Sequence, residues 1–196
     1  DALEEYDSLE TVEGIVAALE SLGHSVVRLS GGRDFLNNIL KCNVDFVFNI
    51  AEGRGNYRGR EAQIPAILEM LDIPYSGSDP QCLSVSLDKP LTKKLVQSAG
   101  VHTPRWQVIS NRHEVGEVCQ DGFPLPAFIK PAFVGSSKGI RLGCRVEGRD
   151  QMAEVAAKLL EQYQQPIMVE EFIPGDEVTV GVVGNSPPKV VGMMRI

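Results

Sequence analysis

A chain of 196 residues, 43% hydrophobic and 23% charged, can bury the core of one large or two small domains and is too apolar to stay disordered. Its 19 basic and 26 acidic residues leave a formal charge of -7, and no Lys/Arg run carries interleaved aromatics, which argues against nucleic acid as a partner. Four scattered cysteines, three histidines without ligand spacing, and the lack of an 18-residue apolar stretch or a basic leader argue against a disulfide frame, a histidine-held metal and a membrane span, with the cytoplasm as the expected location.

Val12, Ile15, Val16 and Leu19 recur at helical spacing behind Asp7 and Ser8, which suit a cap. "SVVRL" then reads as a short buried strand. "RDFLNNILK" predicts a second helix with Phe35, Leu36, Ile39 and Leu40 inward, and "VDFVFNI" a second strand. This alternation predicts a parallel sheet wound with helices over residues 1–80.

Three glycines in "AEGRGNYRGR" stand between that strand and the helix "EAQIPAILEML". Gly53, Gly55 and Gly59 make G-x-G-x-x-x-G, one residue longer than the dinucleotide fingerprint. No acidic residue closes a strand about twenty positions on, so an NAD site is disfavoured.

"SGSDP" is turn-rich and marks a boundary near residue 80. Beyond it a helix is predicted from about Asp88, with Pro90 in its first turn, Leu91, Leu95 and Val96 inward, and Gly100 ending it. "RWQVI" reads as a strand, "HEVGEVC" as a helix, and "LPAFIKPA" and "GIRLGCRV" as strands. Met152, Val155, Ala156, Leu159, Leu160 and Tyr163 give the clearest helical stripe, and "PIMVEEFI", "DEVTVGVVG" and "KVVGMMRI" three closing strands. The last of these runs to the final residue, as expected of part of a longer protein.

Alternation puts Phe128 and Lys130 on one face of their strand and Ile129 on the other. A strand lysine can snorkel to water, but here "LPAFI" precedes it and a Gly/Ser loop, "GSSKG", follows. Gly135 and Gly139 free the backbone, Ser136 and Ser137 supply hydroxyl and N–H groups, and successive N–H groups around glycine suit a phosphate. A mobile hairpin tip has the same composition. The loop is not a Walker motif, because Lys138 precedes Gly139 rather than following it. Glu170 and Glu171 end an apolar strand and point to opposite faces, so only one can share a pocket with Lys130.

The order "SLDKPLTKK", "FIKPAFVGSSKGI", "VEEFIPGDEVTVGVVG", after "IPYSGSD", resembles the ATP-grasp family and within it the D-alanine:D-alanine ligases, over nearly the whole chain. The resemblance implies an α/β protein: a wound parallel-sheet N-terminal (pre-ATP-grasp) domain over 1–80, then an incomplete ATP-grasp α+β domain over 81–196. The latter would comprise the central subdomain and the start of the C-terminal one.

The resemblance also implies roles. Lys89 and Lys130 would contact ATP, one towards the phosphates and one near the adenine. Ser136 and Ser137 would close over the phosphates, with Ser136 also ordering the catalytic centre. Glu170 would accept from the adenine amino group, Phe172 and Ile173 would line the adenine slot and offer a backbone N–H, and Glu177 would hold the ribose hydroxyls. The implied reaction passes through an acyl phosphate to a peptide-like bond between two amino acids, D-alanine or a relative, and a nucleotide-binding protein without that chemistry is the alternative. The family implies Mg2+ bound by residues beyond Ile196, and often a homodimer. Where the ligases carry a histidine in their glycine loop, this chain has "NIAEGRGNYRGREAQ", so the amino-acid substrate stays open, as does the choice of Glu4 or Glu5 to anchor the first ammonium.

Overall fold

The computed structural model describes residues 6–120 and 122–196. Helix α1 (Leu9–Ser21) begins where the Ser8 side chain accepts from the Thr11 N–H at 3.1 Å, satisfying one of the donors a helix start leaves open. Its expected stripe of Val12, Ile15, Val16 and Leu19 is the half-buried side. In α2 (Asp34–Ile39) Phe35 and Ile39 are buried, whereas Leu36 and Leu40 face solvent. Phe35 and Ile39 join Ile64 and Leu68 of α3 (Gln63–Met70) in a small core.

The wound parallel sheet expected over residues 1–80 does not form as strands among the described residues. Residues 25–29 and 44–50 carry no strand, and a parallel bridge between Val47 and Tyr75 is the pairing present, with Val47 N–H donating to Pro74 at 2.9 Å. A parallel strand needs covered faces and a paired neighbour, and here Val27, Phe46 and Phe48 remain about half exposed.

The expected boundary at "SGSDP" is a helix start. Asp79 caps α4 (Pro80–Leu87) by accepting from Cys82 N–H at 2.7 Å, with Pro80 in the first turn where its missing N–H costs nothing. Helix α5 (Lys89–Ser98) follows at once, capped by Asp88. Its inward side is not the one expected: Leu91 and Leu95 are exposed and Lys93 is buried.

The remaining elements are β1 (Trp106–Ile109), α6 (Glu114–Gln120), β2 (Ala127–Pro131), β3 (Arg145–Val146), α7 (Arg149–Tyr163), β4 (Ile167–Glu171), β5 (Val178–Val183) and β6 (Lys189–Arg195). The strand expected over "GIRLGCRV" shrinks to the two residues of β3, because Leu142–Cys144 coil into a 3-10 turn. Four strands form an antiparallel sheet in the order β1-β4-β2-β3. Ile109, Ile129, Ile167 and Val169 project from one face into a core shared with Met152, Ala156 and Leu159 of α7. The other face is where charge collects. β5 and β6 pair separately as an exposed antiparallel hairpin. No described helix is long and apolar enough to cross a membrane.

Candidate functional site

In the antiparallel pairing of β2 with β4, Phe128 lies opposite Glu170 and Lys130 opposite Met168. Period-two alternation therefore sets Phe128, Lys130, Met168 and Glu170 on one face, while Ile129 and Val169, fully buried, take the other. Of the two carboxylates at the end of β4, Glu170 is the one that shares a side with Lys130. The Lys130 ammonium meets its Oε2 at 2.5 Å.

Helix α5 brings two more lysines. The buried Asp88 carboxylate accepts from Leu91 N–H at 3.0 Å, fixing the helix start, and Arg58 approaches its other oxygen at 3.4 Å. Lys89 is then the first helical residue. Its backbone N–H donates to Ala132 at 3.2 Å, and its ammonium donates to the Val134 carbonyl, at the root of the Gly/Ser loop. One turn on, Lys93 is 7% exposed, and its ammonium donates to Glu170 Oε1 and, at 2.6 Å, to Thr103 Oγ1.

Both oxygens of Glu170 are thus held by ammonium groups. Burial pushes its carboxyl up, and Lys130 and Lys93 more than reverse this, holding it below the ordinary carboxylate range. Lys93 escapes the sequence reading because an amphipathic stripe assigns lysines outward. The available signal is its spacing of four from Lys89, which puts the two on one helix face.

The loop after β2 turns at Gly135–Lys138, where Lys138 N–H donates to the Gly135 carbonyl at 2.9 Å. Ser136 and Ser137 both hold positive φ, 47° and 57°, which costs an L-residue about 1–2 kcal/mol each. Such strain survives where the surroundings fix it, and it is concentrated at functional sites. Ser136 Oγ donates to Glu52 Oε1 at 3.3 Å, and a Cβ on Gly135 would lie 3.1 Å from Glu61 Oε1. The glycine loop of the first half therefore packs its carboxylates against the serine loop of the second. Arg60, buried, ties them further by donating to the Phe133 carbonyl at 2.7 Å.

Gly53 has φ +72°, and a Cβ there would fall 1.9 Å from the Arg60 carbonyl oxygen. Glycine at that position is demanded by the protein's own backbone.

The structure thus joins Lys130 to Glu170, sets Lys89 on the root of the serine loop, and brings Ser136 against Glu52. Phe172 follows β4, its N–H donating to Pro126 at 3.0 Å and its ring facing the Arg145 guanidinium at 4.4 Å. Ile173 and Glu177 are exposed, on the way to and at the base of the β5–β6 hairpin. Glu4 and Glu5 lie outside the described residues.

The family described as "D-ala D-ala ligase C-terminus" matches residues 95–196, just over half of the chain. The chain belongs to the D-alanine–D-alanine ligase family. A D-alanine–D-alanine ligase of Aquifex aeolicus is 36% identical over 184 residues, which are 94% of this chain and 60% of that protein. Among solved structures, the D-alanine–D-alanine ligase of Bacillus anthracis superposes with a TM-score of 0.75 at 24% identity, covering 95% of this chain and 58% of that one. The VanG D-Ala:D-Ser ligase of Enterococcus faecalis does so with a TM-score of 0.66 at 28% identity, over 79% and 43%. The α/β fold is that of these ligases, with the antiparallel sheet in its ATP-grasp-like C-terminal part. The chain spans about three fifths of the length of the curated relatives it matches.

Proposed function

We propose that this chain supplies the nucleotide-binding part of an ATP-dependent carboxylate–amine ligase. In the reaction a substrate carboxylate oxygen attacks the γ-phosphorus of ATP and ADP leaves. The amine of a second amino acid then attacks the acyl phosphate, expelling inorganic phosphate and losing a proton. D-alanine is the amino acid that the relatives' names indicate, and a different partner, as in a D-Ala:D-Ser ligase, is compatible with the distinctive "AEGRGNYRGRE" loop.

One observation carries the reading: a Lys–Glu pair on one face of β2 and β4, beside a strained Gly/Ser loop whose root holds a second lysine. Phosphoryl transfer asks a protein for positioning and charge neutralisation more than for covalent chemistry. Lys89 and Lys130 supply positive charge, and the Ser136–Ser137 loop supplies N–H groups and a cover that keeps water from the acyl phosphate. Glu170, ionised and acceptor-only, takes the adenine amino group. Phe172 lines the slot, and because its own N–H is used by Pro126, the backbone donor for the adenine falls to Ile173. Glu177 takes the ribose hydroxyls. Ser136, held by Glu52, also orders the reacting groups.

In this reading residues 1–80 are the pre-ATP-grasp domain and residues 81–196 the central subdomain and the beginning of the C-terminal one. Cys42, Cys82 and Cys144 are free thiols, in keeping with a cytoplasmic enzyme. Among the described residues no three His, Cys, Asp or Glu side chains cluster to hold a metal, and in this reading Mg2+ would be held by residues from the part of the family's length that this chain does not span. The phosphate charge is met here by lysines and loop N–H groups.

Calorimetric titration of ATP into the full-length protein and its Lys130→Ala variant tests the assignment. Saturable binding, at least tenfold weaker in the variant, is expected, tenfold being about 1.4 kcal/mol. Equal affinity in the two proteins, or no binding by either, contradicts it. Binding without amino-acid-dependent turnover would instead mark a nucleotide-binding protein that lacks ligase chemistry.

A further inference from the structure

Lys93 has no part in the roles set out above, yet it is a buried charge aimed at the proposed adenine acceptor. Its ammonium reaches Glu170 Oε1 and Thr103 Oγ1. Lys130 takes the other carboxylate oxygen from β2. From the third side β1 places Trp106 in register with Glu170. Among the described residues, the charged groups that meet this carboxylate are both ammonium groups, one from α5 and one from β2. A buried lysine is costly unless paired, so a structure that sinks one here places it against a particular atom.

We propose that Lys93 is a positioning residue that keeps the Glu170 carboxylate oriented and acceptor-only, so that it selects the adenine of ATP over the guanine of GTP. The inference rests on the reading of Glu170 as the adenine acceptor. An ionised carboxylate can only accept. Adenine offers it an amino donor, whereas guanine offers an oxygen acceptor at the equivalent edge, which an ionised Glu170 repels. A protonated Glu170 could donate to that oxygen, and the discrimination would be lost. Two ammonium groups, rather than one, oppose that protonation, and the Thr103 hydroxyl fixes where the second of them sits.

The test is titration of ATP and of GTP into the full-length protein and its Lys93→Met, Lys93→Arg, Thr103→Val and Glu170→Gln variants, from pH 8 down through the carboxylate range to about 3.5, with steady-state kinetics alongside. In K93M the ATP affinity is expected to fall about tenfold, and the ATP-to-GTP ratio to shrink with it. The effect falls on KM for ATP rather than on kcat, and the acid limb of ATP binding moves to higher pH. Lys93→Arg restores most of the affinity and the limb, which a merely structural role would not predict of the pH profile. A folded K93M with the parent ratio and the parent acid limb overturns the proposal. Should K93M not fold, Thr103→Val decides: a smaller shift in the same direction supports the proposal, and unchanged behaviour overturns it. Glu170→Gln separates the two layers, since its amide can also donate to the guanine oxygen, and an unchanged ATP-to-GTP ratio in that variant removes the adenine reading itself. A reduced ratio in Glu170→Gln beside the parent ratio in K93M removes the Lys93 proposal alone.

Discussion

Lys130 and Glu170 touch at 2.5 Å although they are not register partners. The contact is diagonal: Phe128 sits opposite Glu170, and the lysine two residues on reaches back along the same face. Diagonal neighbours in an antiparallel pair are about 7–8 Å apart at their backbones, within the span of a lysine stem. The side chains are 21% and 13% exposed, so the pair is largely desolvated. Replacing Lys130 by Met should destabilise the protein by about 2 kcal/mol, below the roughly 3–5 typical of a broken buried pair, because Lys93 still holds Glu170. Urea denaturation of the two proteins measures it.

The same carboxylate makes stability depend on pH. Its folded-state pKa lies below the ordinary value of 4.5, so its contribution is complete above 4.5 and is lost as pH falls through the lower folded value. The stability difference between the parent and Glu170→Gln should be constant from pH 8 to 5.5 and shrink below about 4.5, the ordinary range of a carboxylate. Denaturant midpoints at stepped pH give the curve, and a difference that stays constant to pH 3 would refute the assignment.

Two glycines should respond to alanine with opposite signs. Gly139 has φ +79°, and a Cβ there would lie 2.9 Å from Pro131 Cγ and from Tyr163 Cζ. Backbone strain and overpacking add to a loss of about 3 kcal/mol. Gly116, within α6, has nothing within 4 Å of its added Cβ. There alanine should stabilise by about 0.5–1 kcal/mol, the helix propensity difference. Thermal melts of both variants report the signs.

Asp88 caps α5 and thereby places Lys89 and Lys93. Asp88→Ala should cost about 1–2 kcal/mol as a lost cap and also weaken ATP binding, whereas Asp79→Ala, capping α4, should cost about as much with a smaller effect on ATP. Denaturation and calorimetry on the pair separate capping from positioning.

Much of the sheet could be read from residues alone. The alternation of Ala127–Pro131 foretold which side Ile129 and Lys130 would take, because a strand's period is fixed by its covalent geometry. The stripe from Met152 to Tyr163 foretold α7 for the same kind of reason. Lys93 was not legible, since burial of a lysine depends on a carboxylate 77 residues away that no local pattern reports. Helix α4 was hidden because Asp79–Pro80 serves equally as a turn and as a helix cap with its first residue. The parallel strands of the first half failed for the complementary reason: apolar composition marks a segment as able to pair, while pairing itself needs neighbours. The contact of Ser136 with Glu52 joins residues 84 positions apart, and only the folded chain brings them together.

The most direct measurement is phosphate release from ATP by the full-length protein across a panel of D- and L-amino acids, with the Lys130→Ala variant beside it. The account predicts release that requires an amino acid, D-alanine foremost, and that falls by at least tenfold in the variant, a loss of about 1.4 kcal/mol. Release that no amino acid stimulates, or a variant as active as the parent, would contradict it.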